Sequence, residues 1–303
     1  SPADDDLPFG LDNAVAVQAM FPVTSREEMR GLRGYVDIFG QRNALASVND
    51  YAWPLIWDGL MARLLAVPAY QDLFAAAYPD VPREQLSFAH AANALAAYQM
   101  ETFTFLDSPW DRYLLGDQAA LSPEALAGAQ LFYGAAGCAQ CHGGPLLSDL
   151  QFHNIGVPQI GPGKGLEEPY DFGRARETGD PGDLFAFRTP PLRNVAITGP
   201  WMHNGAYLTL EAAVRHHLDP AQAVATYDLR QLSPLLLEED SGDPAVHTAA
   251  LAAPSFAMPA VDLTAAEVAA LLAFLDALTS PSAADLAHTI PTAVPSGLTV
   301  GGN

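Results

Sequence analysis

Apolar residues recur at intervals of three and four along much of this chain, the spacing that places them on one face of an α-helix. Between these segments lie polar stretches rich in Gly and Pro, which are typical of turns and loops. The pattern predicts a mainly α fold with helices at about residues 54–66, 69–78, 88–105, 123–133, 209–218 and 264–279.

Capping residues define the starts of some of these helices more closely. A Ser or Thr followed three residues later by Glu can satisfy the free backbone amides at a helix start. Such a pair begins the helix at 264–279, and another predicts a helix from Ser25 to about Ile38. The helix at 123–133 opens with Pro after Ser122, which is also a common start.

The helical pattern is lost from Gly143 to Pro200, where Gly, Pro and Asp dominate. A loop region of this length is unusual unless it wraps around something. We therefore expect a helical connecting region at residues 1–107, a loop-rich domain at 108–280 and an extended tail at 281–303.

Charge and hydropathy exclude several classes of partner. The chain has 35 acidic and 14 basic side chains and a formal net charge of -21. Such an acidic surface disfavours nucleic acid and would attract a basic partner, such as a small positively charged electron carrier. No apolar run is long enough to predict a membrane span.

Both cysteines of the chain fall in one motif, Cys138-Ala-Gln-Cys141-His142. Two thiols at this spacing can add to the two vinyl groups of one porphyrin, and the adjacent His142 can then bind the iron. A redox dithiol or half of a zinc site are the alternatives, but zinc needs further ligands at close spacing. The motif predicts one covalently attached haem c.

Covalent haem attachment also bears on location. It is normally completed outside the cytosol, which predicts the periplasm or an equivalent extracytoplasmic space. The chain begins at Ser1 rather than Met. We therefore expect that an upstream segment has been removed.

Several runs around the haem motif resemble the bacterial di-haem cytochrome c peroxidases and the related MauG-type enzymes, over about residues 108–279. The matching runs, in chain order, are Ser108–Leu114, Leu131–Tyr133 leading into the haem motif, Thr189–Asn194, Thr198–Gly205 and Thr209–Glu211. The resemblance implies a class-I-like cytochrome c domain enlarged by long loops, with an N-terminal helical segment packed on it. By these runs the chain resembles the C-terminal haem domain of that family and the helical connection before it. It departs from the family in having no second Cys-x-x-Cys-His for the N-terminal, peroxide-reacting haem, so we expect either a piece of a longer protein or a natural one-haem relative.

The resemblance also suggests the second axial ligand of the iron. In this family the ligand lies fourteen residues after the His that corresponds to His203, which gives His217. His216 is the adjacent alternative, and Met258, just before the last helix, is a second one. Trp201 and His203 are expected near the haem. Two imidazole ligands would give a lower potential than His and Met.

A calcium ion between the two domains is a further feature of the resembled family. Its ligands there include backbone oxygens that correspond to Thr198 and Pro200, and another ligand comes from the N-terminal domain. The resemblance therefore implies that this chain contributes part of a calcium site.

The sequence predicts an electron-transfer haem domain of an enzyme that resembles cytochrome c peroxidase and reduces hydrogen peroxide. No catalytic residue is assigned to this chain itself. Its expected partners are the missing N-terminal haem domain, or the chain that carries it, and a small redox protein as electron donor. The alternatives are a stand-alone electron carrier or redox-complex subunit without catalysis, and a MauG-type oxidase of aromatic residues in a partner protein.

Overall fold

The computed structural model describes residues 4–37 and 40–300, and its regular structure is mainly helical, as the apolar pattern predicts. No helix in the described part of the chain is both long and apolar enough to cross a membrane. The α-helices are α1 Ala14–Ala19, α2 Trp53–Leu65, α3 Pro68–Ala77, α4 Phe88–Thr102, α5 Pro109–Leu114, α6 Pro123–Tyr133, α7 Ala175–Thr178, α8 Leu210–Leu218, α9 Pro220–Ala225, α10 Pro234–Glu239, α11 Pro244–His247, α12 Ala249–Ala252 and α13 Ala265–Asp276.

Short helical turns connect these helices. One is a π-helical turn at Arg26–Arg30, and the others are 3-10 turns at Asp4–Asp6, Leu45–Ser47, Arg83–Gln85, Cys138–Gln140, Gly165–Glu167, Pro181–Asp183, Val195–Ile197, Leu229–Gln231, Pro281–Ala283 and Ala287–Thr289.

The six predicted long helices are confirmed within about three residues at each end. Capping explains the sharpest starts. The Ser122 hydroxyl accepts from the backbone N–H of Ala125 at the start of α6, and Thr264 and Glu267 cap each other at the start of α13. These local hydrogen bonds satisfy backbone donors that the helix itself leaves free.

The predicted helix from Ser25 to about Ile38 is wrong. Ser25 does cap a helical turn, but that turn is the π-helical segment Arg26–Arg30 and it ends at Gly31. Gly31 has a φ of 82°, and Gly34 follows with a φ of 92°. These left-handed backbone conformations, which glycine adopts without steric cost, prevent the helix from continuing. Ile38 lies outside the described residues.

Loops make up most of the segment from 143 to 200, as predicted, together with one small sheet. Strand β1, Phe152–His153, pairs antiparallel with β2, Phe187–Arg188. Phe152 lies opposite Arg188 and His153 opposite Phe187. This pairing brings the two halves of the long loop region together.

The chain forms two compact units, Ser1–Thr104 with Asp285–Asn303, and Phe105–Ala284. The first unit has a core around Met20, Trp57, Phe74 and Phe88. Inside this core the Trp57 indole N–H donates to the backbone oxygen of Met20 at 2.8 Å.

The second unit is built around the packing of α6 against α13. Phe132 of α6 and Leu271 and Phe274 of α13 are buried in its core. The helices approach closely at Gly128, where an added β-carbon would lie 1.9 Å from the backbone oxygen of Ala270. Only a residue without a side chain allows this separation.

Gly128→Ala is expected to lower the free energy of unfolding by about 2 kcal/mol, because the helices must separate to admit the methyl group. The higher helix propensity of alanine than of glycine would by itself raise the free energy of unfolding by about 1 kcal/mol. A decrease therefore shows that the close packing of the helices outweighs propensity. Urea unfolding followed by circular dichroism measures it. The matched control is Ala127→Gly at an exposed α6 position, which should cost only the helix propensity. A Gly128→Ala variant as stable as the native protein would contradict the close packing.

Candidate haem site

A cavity of about 440 Å³ lies within the second unit. Its walls come from α6, α8 and α13 and from the loops at 136–142, 153–157, 187–203 and 258. Most of the wall is apolar, as in pockets that bury a flat organic group. The apolar lining side chains include Phe132, Ile155, Val157, Phe187, Leu192, Val195, Leu210, Val214, Leu271 and Leu275.

The two cysteines lie in the wall of this cavity. The turn Cys138–Gln140 follows α6 directly, and Gly137 makes the change of direction with a φ of 70°. Cys138 and Cys141 are free thiols. Burial raises the pKa of Cys138 to about 11 and also raises the pKa of Cys141. A redox-active dithiol needs a lowered thiol pKa, so this environment does not favour one.

His142 lies in the same wall with its orientation fixed by the backbone. Its Nδ1 is 3.1 Å from the backbone oxygen of Leu147. A carbonyl oxygen only accepts, so Nδ1 carries the proton and the Nε2 lone pair is left free. Leu147 is buried and adopts a left-handed backbone conformation with a φ of 54°. Such backbone–imidazole hydrogen bonds are typical of metal-ligating histidines.

His217 faces the cavity from α8. Leu210, Ala213, Val214 and His217 all line the cavity, and their spacing of three and four places them on one face of the helix. His217 Nδ1 lies 2.8 Å from the backbone oxygen of Ala213, one turn earlier. By the same reasoning Nδ1 donates this hydrogen bond and Nε2 is available to a metal.

The ring centres of His142 and His217 are 6.2 Å apart. A metal–imidazole bond of about 2 Å on each side, with roughly 1 Å more from each bonding nitrogen to its ring centre, requires about 6 Å. The two rings are therefore spaced for one metal ion between them. Burial and the nearby His217 lower the pKa of His142 to about 4, and burial lowers the pKa of His217. Both imidazoles are neutral at pH 7, as metal ligands must be.

The two alternative ligands occupy different positions. Met258 lines the same cavity as His217. His216 is fully buried outside the cavity lining, and both of its ring nitrogens have partners in the protein. The structure thus places His217 and Met258, but not His216, where a group bound to His142 would lie.

Trp201 and His203 both line the cavity. The Trp201 indole N–H donates to the backbone oxygen of Val195 at 2.9 Å. The His203 ring stacks on Phe187 with centres 3.4 Å apart. Thr198 and Pro200 line the cavity and are also exposed to solvent.

One cluster near the haem motif has the composition of a metal site. Ligand atoms of Cys141, Asp149 and His153 lie within 4.8 Å of one another, the one such group in the described part of the chain. His153 Nε2 is 2.8 Å from an Asp149 carboxylate oxygen. A zinc ion there would need the Cys141 thiolate, and it would not use Cys138 or His142. A haem explains all three residues of the motif.

Sequence reasoning had assigned no role to two residues that shape this site. Leu147 orients His142 through a left-handed backbone conformation, which nothing in the sequence signals for a leucine. Tyr207 is buried and its hydroxyl lies 2.8 Å from His216 Nδ1. A buried tyrosine among helix-forming and loop residues has no distinctive pattern, so only the fold identifies this contact.

An ion pair holds the loop that follows His142. Arg193 makes paired hydrogen bonds of 2.9 and 2.8 Å to the two carboxylate oxygens of Asp111. Its Nε also donates to the backbone oxygen of Pro145 at 3.1 Å. Burial alone would raise the pKa of Asp111, but Arg193 and hydrogen bonds from Ser108 hold it below its usual value. The bidentate geometry makes this pair specific.

The sequence and fold of this chain are similar to those of known proteins. Residues 10–119 match the model of a family described as di-haem cytochrome c peroxidase. This match ends before Cys138, so it is independent of the cavity and its ligands. It also lies mostly in the segment that precedes the sequence motifs noted above.

Two curated relatives cover the chain more widely. Cytochrome-c peroxidase IdrP1 of Denitromonas iodatirespirans is 37% identical over 201 residues, which is 58% of this chain and 51% of that protein. Methylamine utilization protein MauG of Methylorubrum extorquens is 32% identical over 213 residues, which is 69% of this chain and 50% of that protein. The chain spans about half the length of these relatives.

A solved structure shares the fold. A MauG-like protein associated with microbial copper homeostasis aligns with a TM-score of 0.57 and 28% identity, covering 88% of this chain and 69% of that one.

Asp111→Asn is expected to destabilise the second unit by about 2 kcal/mol at pH 7, because it leaves the Arg193 charge unpaired. The Asp111 pKa is depressed by folding, so its stabilisation is present above the ordinary carboxyl pKa and disappears as pH falls through the lower folded value. Denaturant unfolding of both proteins at several pH values measures this. The difference in the free energy of unfolding between the two proteins should have its complete value at pH 7 and should vanish in strong acid. The control Asp117→Asn removes an exposed pair with Arg112 and should have little effect. A difference that persists unchanged in acid would contradict the pairing.

Proposed function

Because this chain belongs to the di-haem cytochrome c peroxidase and MauG family, we propose that it holds one covalent haem c and serves in electron transfer. Cys138 and Cys141 would attach the ring, and His142 and His217 would bind its iron on opposite faces. The observation that carries the proposal is the 6.2 Å separation of the two imidazole centres.

The residues of the chain fit such a group. Two free thiols and a neutral imidazole lie in one wall, a second imidazole faces them, and most of the remaining wall is apolar. When bound, the haem would supply one-electron oxidation and reduction at iron. The protein would contribute orientation, through the carbonyls of Leu147 and Ala213, and exclusion of water, through the apolar lining.

If His142 and His217 both bound the iron, they would occupy the positions at which peroxide could bind. The proposed role of this chain is therefore electron relay, and any peroxide chemistry of the whole protein would take place at another centre. Two histidine ligands also imply a lower potential than His and Met. If Met258 replaced His217, the site would remain six-coordinate but at a higher potential.

The partners follow from this role. We propose that the chain works with a second haem domain of the family, because it spans about half the length of its curated relatives. The formal charge of -21 favours a small basic redox protein as electron donor. Covalent haem attachment is normally completed outside the cytosol, which supports an extracytoplasmic compartment. Reduction of hydrogen peroxide is the proposed activity of the whole enzyme.

A partial calcium site is part of the same proposal. The backbone oxygens of Thr198 and Pro200 are the proposed ligands, and both residues are solvent-exposed. Calcium takes about six to eight oxygen ligands. The remaining oxygens would have to come from water and from outside this segment.

The double variant Cys138→Ser with Cys141→Ser tests the attachment. Native protein made in a host that matures c-type cytochromes should have the mass of the polypeptide plus one haem, and the variant should have the mass of the polypeptide alone. Intact-mass spectrometry and haem staining of a denaturing gel measure both. A native protein with a disulfide, or one that retains zinc instead of haem, would contradict the proposal.

His217→Met tests the second ligand. It should give the far-red charge-transfer band of methionine-ligated ferric haem and raise the midpoint potential by on the order of 0.1 V. The control His288→Ala, at an exposed position, should change neither. The assignment of His217 fails if the native protein already shows the methionine band and Met258→Leu removes it.

A further inference from the structure

His216 is a fully buried histidine that the proposed electron transfer does not use. Its Nε2 is 2.9 Å from the backbone oxygen of Ile155, and its Nδ1 is 2.8 Å from the Tyr207 hydroxyl. The Ile155 carbonyl can only accept, so Nε2 carries the proton and Nδ1 accepts from Tyr207. Every polar atom of this imidazole is therefore satisfied, as buried groups require.

Both partners of His216 are themselves held in place. The Tyr207 backbone pairs with that of Trp201, and its ring packs edge-on against Tyr227 with centres 5.5 Å apart. Next to Ile155, the Asn154 amide donates to the backbone oxygen of Ala250 at 2.8 Å. His216 thus joins α8 to two anchored segments, one at Tyr207 just before the helix and one at Ile155, which is 61 residues away in sequence.

This attachment bears directly on His217. Consecutive residues of an α-helix point roughly 100° apart, so fixing the direction of His216 also fixes that of His217. Helix α8 has only 9 residues, and apart from His217 its cavity face consists of aliphatic side chains such as Ala213 and Val214, which make no directional contacts that would fix its rotation. Rotation of this short helix about its axis would withdraw His217 from His142.

A competing ligand is close to the end of this helix. The backbone N–H of Val261 donates to the backbone oxygen of Leu218 at 2.7 Å. This hydrogen bond ties the segment that contains Met258 to the end of α8. Met258 and His217 both line the cavity, so a rotation of α8 that withdrew His217 would leave the thioether of Met258 as the alternative ligand.

We infer that Tyr207 and His216 are positioning residues. They fix the rotation of α8 and so keep His217, in preference to Met258, directed toward the haem iron that His142 would bind. The inference rests on the proposed haem site. By this inference, the hydrogen bond between Tyr207 and His216 determines which residue becomes the second ligand of the haem iron.

The test measures how readily added imidazole displaces the internal ligand from the ferric haem protein. Apparent affinity rises with the fraction of time that the internal ligand is detached. Tyr207→Phe removes one hydroxyl and keeps the ring, and His216→Leu removes both hydrogen bonds. Each should bind imidazole about tenfold more tightly than the native protein, and His216→Leu should also show the far-red methionine band.

The matched control is Tyr227→Phe. Its hydroxyl donates to the backbone oxygen of Ala206, so the variant loses a neighbouring tyrosine hydrogen bond without touching His216. It should bind imidazole as the native protein does. The inference is overturned if Tyr207→Phe and His216→Leu also retain native affinity, or if Tyr227→Phe gains as much as they do.

Absence of covalent haem from the native protein would contradict the proposed function and not this inference. The role of Tyr207 and His216 is then tested in the haem-free protein. Nitrogen-15 NMR of the imidazoles should show His216 as the Nε2–H tautomer and His217 as the Nδ1–H tautomer. In Tyr207→Phe the chemical shifts of the His217 ring should move because its surroundings in the cavity change as α8 rotates, while the hydrogen bond to Ala213 within the same helix keeps the Nδ1–H tautomer. An unchanged His217 signal in that variant would overturn the inference.

Discussion

The site depends on two imidazole rings that face each other across an apolar cavity at metal-binding separation. Each ring is oriented by a hydrogen bond from Nδ1 to a backbone oxygen, of Leu147 for His142 and of Ala213 for His217. Backbone partners cannot rotate away as side chains can. Both rings therefore line the same cavity in a fixed orientation before any ligand is bound, which lowers the cost of ordering a metal site.

The rest of the second unit maintains this separation. Close packing of α6 and α13 at Gly128 brings Phe132 to one side of the cavity and Leu271 to the same wall. The haem motif begins a few residues after the end of α6, so the position of that helix also fixes the position of both thiols. Arg193 and Asp111 then hold the loop that follows His142. A shift in any of these elements would change the distance between the two imidazoles.

The role proposed for this arrangement is electron transfer. If the cavity held a haem, His142 and His217 would both bind its iron, and such ligation suits electron transfer. The chain belongs to a family of di-haem proteins, which agrees with a haem in this cavity. The formal charge of -21 supports the proposed basic donor through long-range attraction and does not determine the fold.

Much of this protein could be predicted from local sequence. Helix periodicity and capping residues gave the mainly α fold and the limits of the long helices, because these features act over a few residues. The pairing of Cys138, Cys141 and His142 is equally local, since one turn of chain brings them together. The predicted helix after Ser25 failed for a local reason too, because a capping pair cannot extend a helix past a left-handed Gly31.

The second ligand required the tertiary structure. His216 and His217 are adjacent, similar in chemistry and at the end of the same helix, so the sequence by itself reduced the choice to these two and Met258. Tyr207 and Ile155 bind both ring nitrogens of His216 and leave His217 facing the cavity, which Met258 also lines. The rotation of a short helix is set by the groups packed around it. Ile155 is 61 residues from His216 in sequence, so only folding brings these two residues together.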